Sequence, residues 1–183
     1  LVAAHHPGAL RVAFEPGFPS SKRLCDNLLL NGCYRSVIPL PIALGDRAGL
    51  LELEYRGEPG GHGHSLRTRE WRTRRDALEA QYTQPVCAER LDEVVERHRL
   101  PRPQAIRISL RRGTAAMLRG ADGILRDPQL RSVLASVKGD EESGEITGLL
   151  ETYGFGSTVV SGEGGNRTVI LLRSVAPESI GRA

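Results

Sequence analysis

The 183-residue sequence is poor in several residue types, and each scarcity excludes a class of protein. The only cysteines are Cys25, Cys33 and Cys87, an odd number without CxxC spacing, which argues against a disulfide framework or a zinc site. Thiols used in this way are typical of a reducing, cytoplasmic setting. No apolar run approaches the ~18–20 residues of a membrane-spanning helix. We therefore expect a cytoplasmic protein with no membrane partner.

Lysine is almost absent from the basic residues. Of the 25 basic side chains, only Lys22 and Lys138 are lysines and the remainder are arginines. Nucleic-acid-binding surfaces commonly use both types, so we interpret the skew as a coding bias and do not expect nucleic acid as a partner. Hydrophobic residues make up 39% of the chain and charged residues 26%, as in ordinary globular proteins. We expect one domain over residues 1–176, with a loose tail over 177–183.

The first third of the chain has the pattern of an α/β unit. Residues 11–15 form a short apolar run closed by a turn signal, which predicts a strand buried on both faces. Ser20 or Ser21 is predicted to cap a helix that ends at Gly32. Residues 36–44 predict a second strand. A strand, a helix and a strand in this order indicate a parallel sheet.

The rest of the chain adds further elements. Predicted strands cover residues 50–55, as a hairpin-like insertion, then 85–88, 105–110, 132–137, 158–160 and 167–173, while predicted helices cover 90–99, 114–119 and 144–153. Residues 57–66 are predicted as a loop. Residues 67–81 are charged and predict a helix from Glu70. The last two strands are predicted to form an antiparallel hairpin.

Glu15 is the clearest candidate for binding a ligand. Ligands of open α/β sheets lie beyond the carboxyl ends of the parallel strands, and Glu15 ends the first of these. A carboxylate there accepts hydrogen bonds from both ribose hydroxyls of a nucleoside, about 20 residues after a glycine-rich loop. The alternative is an acid that caps the next helix or faces solvent. Because the chain starts at Leu1, we expect the loop to lie upstream, in a longer parent protein, with residues 1–8 ending the first helix.

Several stretches share their order and spacing with one family. They are Val12-Ala13-Phe14-Glu15-Pro16, Asn27-Leu28 to Asn31-Gly32, Ala43-Leu44-Gly45-Asp46, Arg90-Leu91-Asp92-Glu93-Val94, Arg107-Ile108, Leu118-Arg119-Gly120-Ala121 and Leu149-Leu150-Glu151-Thr152-Tyr153-Gly154-Phe155. Over residues 8–156 the chain resembles the FkbM-type methyltransferases. No single stretch is specific, and the resemblance is carried by the stretches together.

The resemblance implies a class I methyltransferase that uses S-adenosylmethionine, with a small-molecule or sugar hydroxyl as the methyl acceptor. It implies a Rossmann-like α/β sheet, mostly parallel with a C-terminal antiparallel hairpin. The first strand of such a sheet lies between the strands that end at Glu15 and Ser109. Because only 14 residues precede Glu15, we expect this first strand to be missing from the chain. Glu15 and Pro16 match the ribose-binding position, and Ala43 and Leu44 match the loop whose backbone lies along the adenine.

The chain departs from this family in its acidic motif. Where the family typically reads Lys-Ile-Asp-Val-Glu-Gly-x-Glu, Ser109, Arg111 and Thr114 replace the three acids, and Ser136 replaces an acid common in the next strand. Ser109 and Arg111 thus occupy the acidic-motif positions, and the catalytic residues stay unassigned. The alternative function is therefore a catalytically inactive methyltransferase-like module that binds a protein or RNA.

Two further segments contain residue types that can bind ligands. His62 and His64 have no additional ligands at a clear spacing, so we expect a solvated loop and no metal. Residues 67–75 combine five arginines with Trp71, a combination that can hold single-stranded nucleic acid. Nearby acids favour a solvated, ion-paired helix instead.

Overall fold

The computed structural model describes residues 8–55, 64–67, 82–110, 113–138, 140–161 and 166–173. The chain divides into two compact units, residues 1–89 and residues 90–183. The first unit contains strands β1 (Arg11–Phe14), β2 (Val37–Leu40), β3 (Ala43–Leu44), β4 (Gly49–Tyr55), β5 (His64–Arg67) and β6 (Tyr82–Glu89), and helix α1 (Phe18–Leu30). The second contains helices α2 (Leu91–Arg97), α3 (Thr114–Arg119), α4 (Asp122–Arg126) and α5 (Asp140–Glu151), and strands β7 (Ala105–Ser109), β8 (Ser132–Lys138), β9 (Phe155–Ser161) and β10 (Asn166–Arg173).

The predicted strand–helix–strand unit at the start of the chain is confirmed. Strand β1 pairs in parallel with β2, and α1 connects them. The helix begins at Phe18, after Gly17 as its N-cap residue, and not at a cap formed by Ser20 or Ser21. A proline in the first turn has no N–H to satisfy, which lowers the need for a side-chain cap. Buried Leu28 packs with Cys33 and Val37 to attach α1 to the pair of strands.

The strand predicted over residues 36–44 is two strands in two different sheets. Strand β2 ends at Leu40 and pairs with β1, whereas β3 begins at Ala43 and pairs in parallel with β6. The interruption falls at Pro41, which has no N–H to donate to a strand ladder. The apolar run is continuous in sequence, but its two halves belong to separate sheets.

The insertion predicted around residues 50–55 is confirmed and is larger than expected. Strand β4 pairs antiparallel with both β5 and β6, and the sheet order is β3-β6-β4-β5. Strand β5 begins at His64, inside the segment predicted to be a loop, and β6 is longer than the predicted strand 85–88. The core of this sheet consists of Ala43, Leu51, Leu53, Tyr55, Val86 and Ala88. Residues 68–81, with the helix predicted from Glu70, lie outside the described residues.

The second unit is built on a four-stranded sheet of order β7-β8-β10-β9. Strands β7 and β8 are parallel, and β10 runs antiparallel to both β8 and β9, which confirms the predicted C-terminal hairpin. Helix α4 was not predicted, and α5 begins at Asp140, four residues before the predicted start. The fully buried side chains of this second unit include Leu118, Leu125, Leu130, Val133, Ile146, Leu150, Val169 and Leu171.

The chain is therefore a mixed α/β protein. In the described residues, the parallel strand pairs are β1–β2, β3–β6 and β7–β8, and the antiparallel pairs belong to the insertion and the C-terminal hairpin. The finer expectation of one Rossmann-like sheet, and of one domain over 1–176, stays a prediction. The tail over 177–183 lies outside the described residues.

Candidate functional site

Glu15 lies directly after β1, where it leads into the turn before α1. Its backbone N–H donates to the Leu40 carbonyl at 3.0 Å and so extends the pairing of β1 with β2 by one residue. Its Oε1 atom accepts the backbone N–H of Gly17 at 3.0 Å. The side chain is partly buried. This hydrogen bond lies in the turn before α1 and holds the carboxylate at the carboxyl end of a parallel strand.

A buried amide on β6 holds the turn that follows Glu15. Gln84 is fully buried, and its Oε1 accepts the Phe18 backbone N–H at 3.0 Å and the Tyr55 hydroxyl at 2.7 Å. Its Nε2 donates to the Pro16 carbonyl at 2.9 Å. Because Oε1 has two donors and Nε2 has a carbonyl, only one orientation of the amide fits. The carbonyl of Pro16 is therefore bound within the protein.

Gly17 has no side chain at the point where these groups converge. A Cβ atom there would lie 2.7 Å from the Tyr55 hydroxyl oxygen and 3.2 Å from Glu15 Oε1. The backbone of Gly17 is extended, with φ of −73°, so the requirement for glycine is one of space and not of backbone strain. Residue 17 must be glycine for the carboxylate and the tyrosine to approach the turn this closely.

Neither Gln84 nor Tyr55 was predicted from the sequence as a site residue. Gln84 is 68 residues from Pro16, so no local pattern connects them. One signal was present in the sequence. Gln84 shares the inward face of β6 with Val86 and Ala88, and a polar residue in such a series needs a hydrogen-bonding partner.

The predicted adenine-binding residues lie on β3, in the same unit as Glu15. Ala43 is 2% exposed and its side chain belongs to the core of the inserted sheet, whereas Leu44 is partly buried. These residues pair with Ala88 and Glu89 of β6, and the pairing continues where Gly45 N–H donates to the Glu89 carbonyl at 3.0 Å. Strand β3 is at the edge of its sheet, so its second backbone edge has no strand partner in the described residues.

Ser109 lies in the second unit, exposed at the end of β7. It is the register partner of Ser136 on β8. Arg111 lies outside the described residues. Thr114 begins α3, is fully buried, and its hydroxyl has no hydrogen-bond partner in the described part of the chain. Three further acids, which were not predicted as site residues, lie in the first turn of α5 after β8: Asp140, Glu141 and Glu142.

Within the described residues there is no group of three or more His, Cys, Asp or Glu side chains that could hold a metal ion. His62 lies outside these residues, as does the arginine-rich segment beyond Arg67. Among the described helices, none has the length and apolar character needed to cross a membrane.

Comparison with known proteins identifies no relative. No protein-family model, no curated protein and no solved structure matches the chain. The residues themselves, their spacing and the geometry around Glu15 are therefore what indicates a function.

Proposed function

We propose that this chain is part of an S-adenosylmethionine-dependent methyltransferase that methylates a hydroxyl oxygen of a small molecule or sugar. The observation that carries the proposal is the place of Glu15, at the carboxyl end of a parallel strand and directly before a helix. That position is where open α/β sheets bind nucleosides. The sequence resemblance to the FkbM-type methyltransferases supplies the rest.

The carboxylate of Glu15 is suited to a ribose. A carboxylate has two oxygens and about four lone-pair sites, and Oε1 of Glu15 accepts the N–H of Gly17. Two adjacent ribose hydroxyls are donors at the spacing of one carboxylate, and hydrogen bonds to a charged acceptor are stronger than neutral ones. The bond from Gly17 also fixes the carboxylate before the ligand arrives, which reduces the entropy lost on binding.

The second support comes from β3. Its backbone pairs on one side with β6, and Ala43 and Leu44 are at the edge of their sheet. A backbone edge of this kind offers N–H and C=O groups to a planar base, as the resemblance implies for adenine. Ala43 can contribute only through its backbone, because its side chain is in the core.

The sulfonium of S-adenosylmethionine is already an activated methyl donor, so the protein's work is to orient the acceptor and exclude water. A hydroxyl acceptor also needs a base to take its proton. Neither Ser109 nor Arg111 supplies one, because a guanidinium stays protonated and has no acceptor, and a serine hydroxyl needs activation by a neighbouring base.

This feature favours a second candidate function, a methyltransferase-like module without catalytic activity. The observation behind it is that Ser109 and Ser136 are neighbours in the parallel register, so uncharged residues replace two expected acids side by side. Such a module would keep the nucleoside site or a partner-binding surface and lose methyl transfer.

The test is calorimetric titration with S-adenosylhomocysteine, using the parent protein with the upstream residues that the resemblance implies. We expect saturable binding with a Kd on the order of 1–100 μM, corresponding to about −8 to −5.5 kcal/mol, and competition by adenosine. Guanosine serves as the control and should not compete. Absence of binding contradicts the proposal.

A second assay separates the two candidate functions. Methyl transfer from labelled S-adenosylmethionine is measured against a panel of hydroxyl acceptors. Transfer supports the enzyme, whereas binding without transfer to any acceptor supports the inactive module.

A further inference from the structure

We propose that Gln84 is the positioning residue of the nucleoside site and acts by fixing the turn that orients Glu15. The inference rests on the proposed function, because it assigns Gln84 to the same site. Gln84 does not itself contact the carboxylate in the described contacts. Its action passes through the backbone of residues 16–18.

The contacts of Gln84 span the turn on both sides of Gly17. Its Nε2 donates to the carbonyl of Pro16 at 2.9 Å, and its Oε1 accepts the N–H of Phe18 at 3.0 Å. The Tyr55 hydroxyl donates to the same Oε1 at 2.7 Å and holds the amide from β4. Both peptide groups next to Gly17 are thus tied to one side chain that is fully buried.

This arrangement determines where the Gly17 amide points. The N–H of Gly17 is the group that Glu15 Oε1 accepts, at 3.0 Å. With the flanking peptide groups fixed, the Gly17 N–H has one direction, and the carboxylate that binds it is oriented in turn. Gln84 therefore acts on Glu15 through the backbone of Gly17.

The N-cap residue of α1 has no side chain, which explains why the Gln84 amide of β6 binds the start of this helix. Helices commonly satisfy their first N–H groups with a Ser, Thr, Asp or Asn side chain at the N-cap. Here the N-cap residue is Gly17, and no side chain of its own caps α1. Gln84 supplies the acceptor instead, which frees residue 17 to be glycine. Only without a Cβ at residue 17 can Glu15 and Tyr55 approach as closely as they do.

The experiment compares two variants on the same face of β6. Gln84→Met keeps the length of the side chain and removes all three hydrogen bonds. Val86→Ala is the control, because Val86 is also buried and faces the same core but makes none of these contacts. Melting temperature is measured for both, and S-adenosylhomocysteine affinity is measured on the parent protein.

We expect Gln84→Met to weaken S-adenosylhomocysteine binding at least tenfold. Val86→Ala should bind within twofold of the wild type although its melting temperature also falls. Equal loss of affinity in the two variants, or unchanged affinity in a folded Gln84→Met, would show that Gln84 only supports the fold and would overturn the inference.

A second measurement needs no cofactor. The amide of Phe18 should exchange its hydrogen at least tenfold faster in Gln84→Met than in the wild type, and the NMR shift of the Gly17 amide should move because its bond to Glu15 is altered. Val86→Ala should change neither. If Gln84→Met does not fold, Tyr55→Phe is used, and we expect a smaller change of the same two signals.

The two measurements separate this inference from the proposed function. If the wild type binds no S-adenosylhomocysteine, the proposed function fails, and the role of Gln84 in orienting Glu15 is then decided by the amide signals alone. Movement of the Gly17 and Phe18 signals in Gln84→Met supports the positioning role. Signals that stay as in the wild type contradict it.

Discussion

Ser109 at the end of β7 lies beside Ser136 of β8, as its partner in the parallel register. Register partners on neighbouring strands project to the same face of a sheet, so these two hydroxyl side chains are neighbours. The sequence resemblance implies an acid at each position. If the proposed cofactor lies beside β7 and β8, these two uncharged positions attract its cationic sulfonium less strongly than the acids that the resemblance implies.

Restoring the acids should strengthen cofactor binding. Two unit charges ~6 Å apart interact by about 2–3 kcal/mol at an effective dielectric near 20, an upper range for a site open to solvent. We expect Ser109→Asp combined with Arg111→Glu to tighten S-adenosylmethionine binding about three- to tenfold, measured by calorimetry. Ser132→Asp, at the opposite end of β8, is the control. A double variant that binds no better than this control would show that these positions do not face the cofactor.

The pH dependence of stability should reflect a cluster of hydrogen-bonded side chains around Asp122 in the second unit. This carboxylate accepts hydrogen bonds from Arg126 at 3.0 and 3.1 Å and from the Tyr153 hydroxyl at 2.8 Å. The bonds from Arg126, and then the bond from Tyr153, lower the pKa of Asp122 below its ordinary value of 3.8. Burial, followed by the bond to Asp122, raises the pKa of Tyr153.

A lowered carboxyl pKa stabilises the folded state above the unfolded value, and this contribution is lost as pH falls through the folded pKa. The free energy of unfolding of Asp122→Asn, measured in urea, should therefore fall less between pH 5 and pH 2 than that of the wild type. Tyr153→Phe removes only the hydrogen bond from Tyr153, which lowers the pKa of Asp122 less than the bonds from Arg126 do. The fall in its free energy of unfolding over the same pH range should therefore lie between those of the wild type and Asp122→Asn. Parallel curves for the wild type and Asp122→Asn would mean that this cluster does not act as described.

Asp92 is expected to stabilise the second unit by binding the start of α4. Its two carboxylate oxygens accept the N–H groups of Gly123 at 2.9 Å and Ile124 at 3.0 Å, which makes it a helix cap supplied by α2. Asp92→Ala should lower the free energy of unfolding by about 1–2 kcal/mol. Glu96→Ala, an exposed acid of the same helix, is the control. Equal stability of the two variants in urea unfolding would contradict this role.

Elements fixed by local pattern were predicted from the sequence. Strands β1, β7 and β8 are short apolar runs, and β9 and β10 follow from two such runs separated by a glycine-rich stretch of sequence. The position of Glu15 at a strand end follows from the same local reasoning, because the run stops at Pro16 and Gly17.

Features that depend on distant contacts were not predictable in this way. Pro41 marks the interruption of the run over residues 36–44, but the sequence does not show that its halves pair with different strands, β1 and β6. The N-terminus of α1 is satisfied by Gln84, 66 residues from Phe18, so the serines that local rules favour were wrong as its cap. Helix α4 is short, and its start is bound by Asp92 of α2. This contact spans 31 residues, so local helix propensity could not predict it.

The arginine-rich segment over residues 67–75 is expected not to bind RNA. If it did, retention of a single-stranded RNA would appear at low salt and fall steeply as salt rises, because counterions are released on binding. We expect no retention at about 50 mM salt in a filter-binding assay. Retention at that salt, lost when Arg72 and Arg74 are replaced by glutamine, would favour the RNA-binding alternative.

Glu15 is the central residue of the proposed nucleoside site, and its replacement tests that site most directly. S-adenosylhomocysteine affinity is measured by calorimetry on the parent protein for the wild type, Glu15→Ala and Glu52→Ala, an acid of β4 that serves as the control. Circular dichroism confirms that each variant is folded. If Glu15 holds the ribose, its replacement should weaken binding by about 1.5–3 kcal/mol, roughly 10- to 150-fold, with the control unchanged. Unchanged affinity in a folded Glu15→Ala would contradict the nucleoside site.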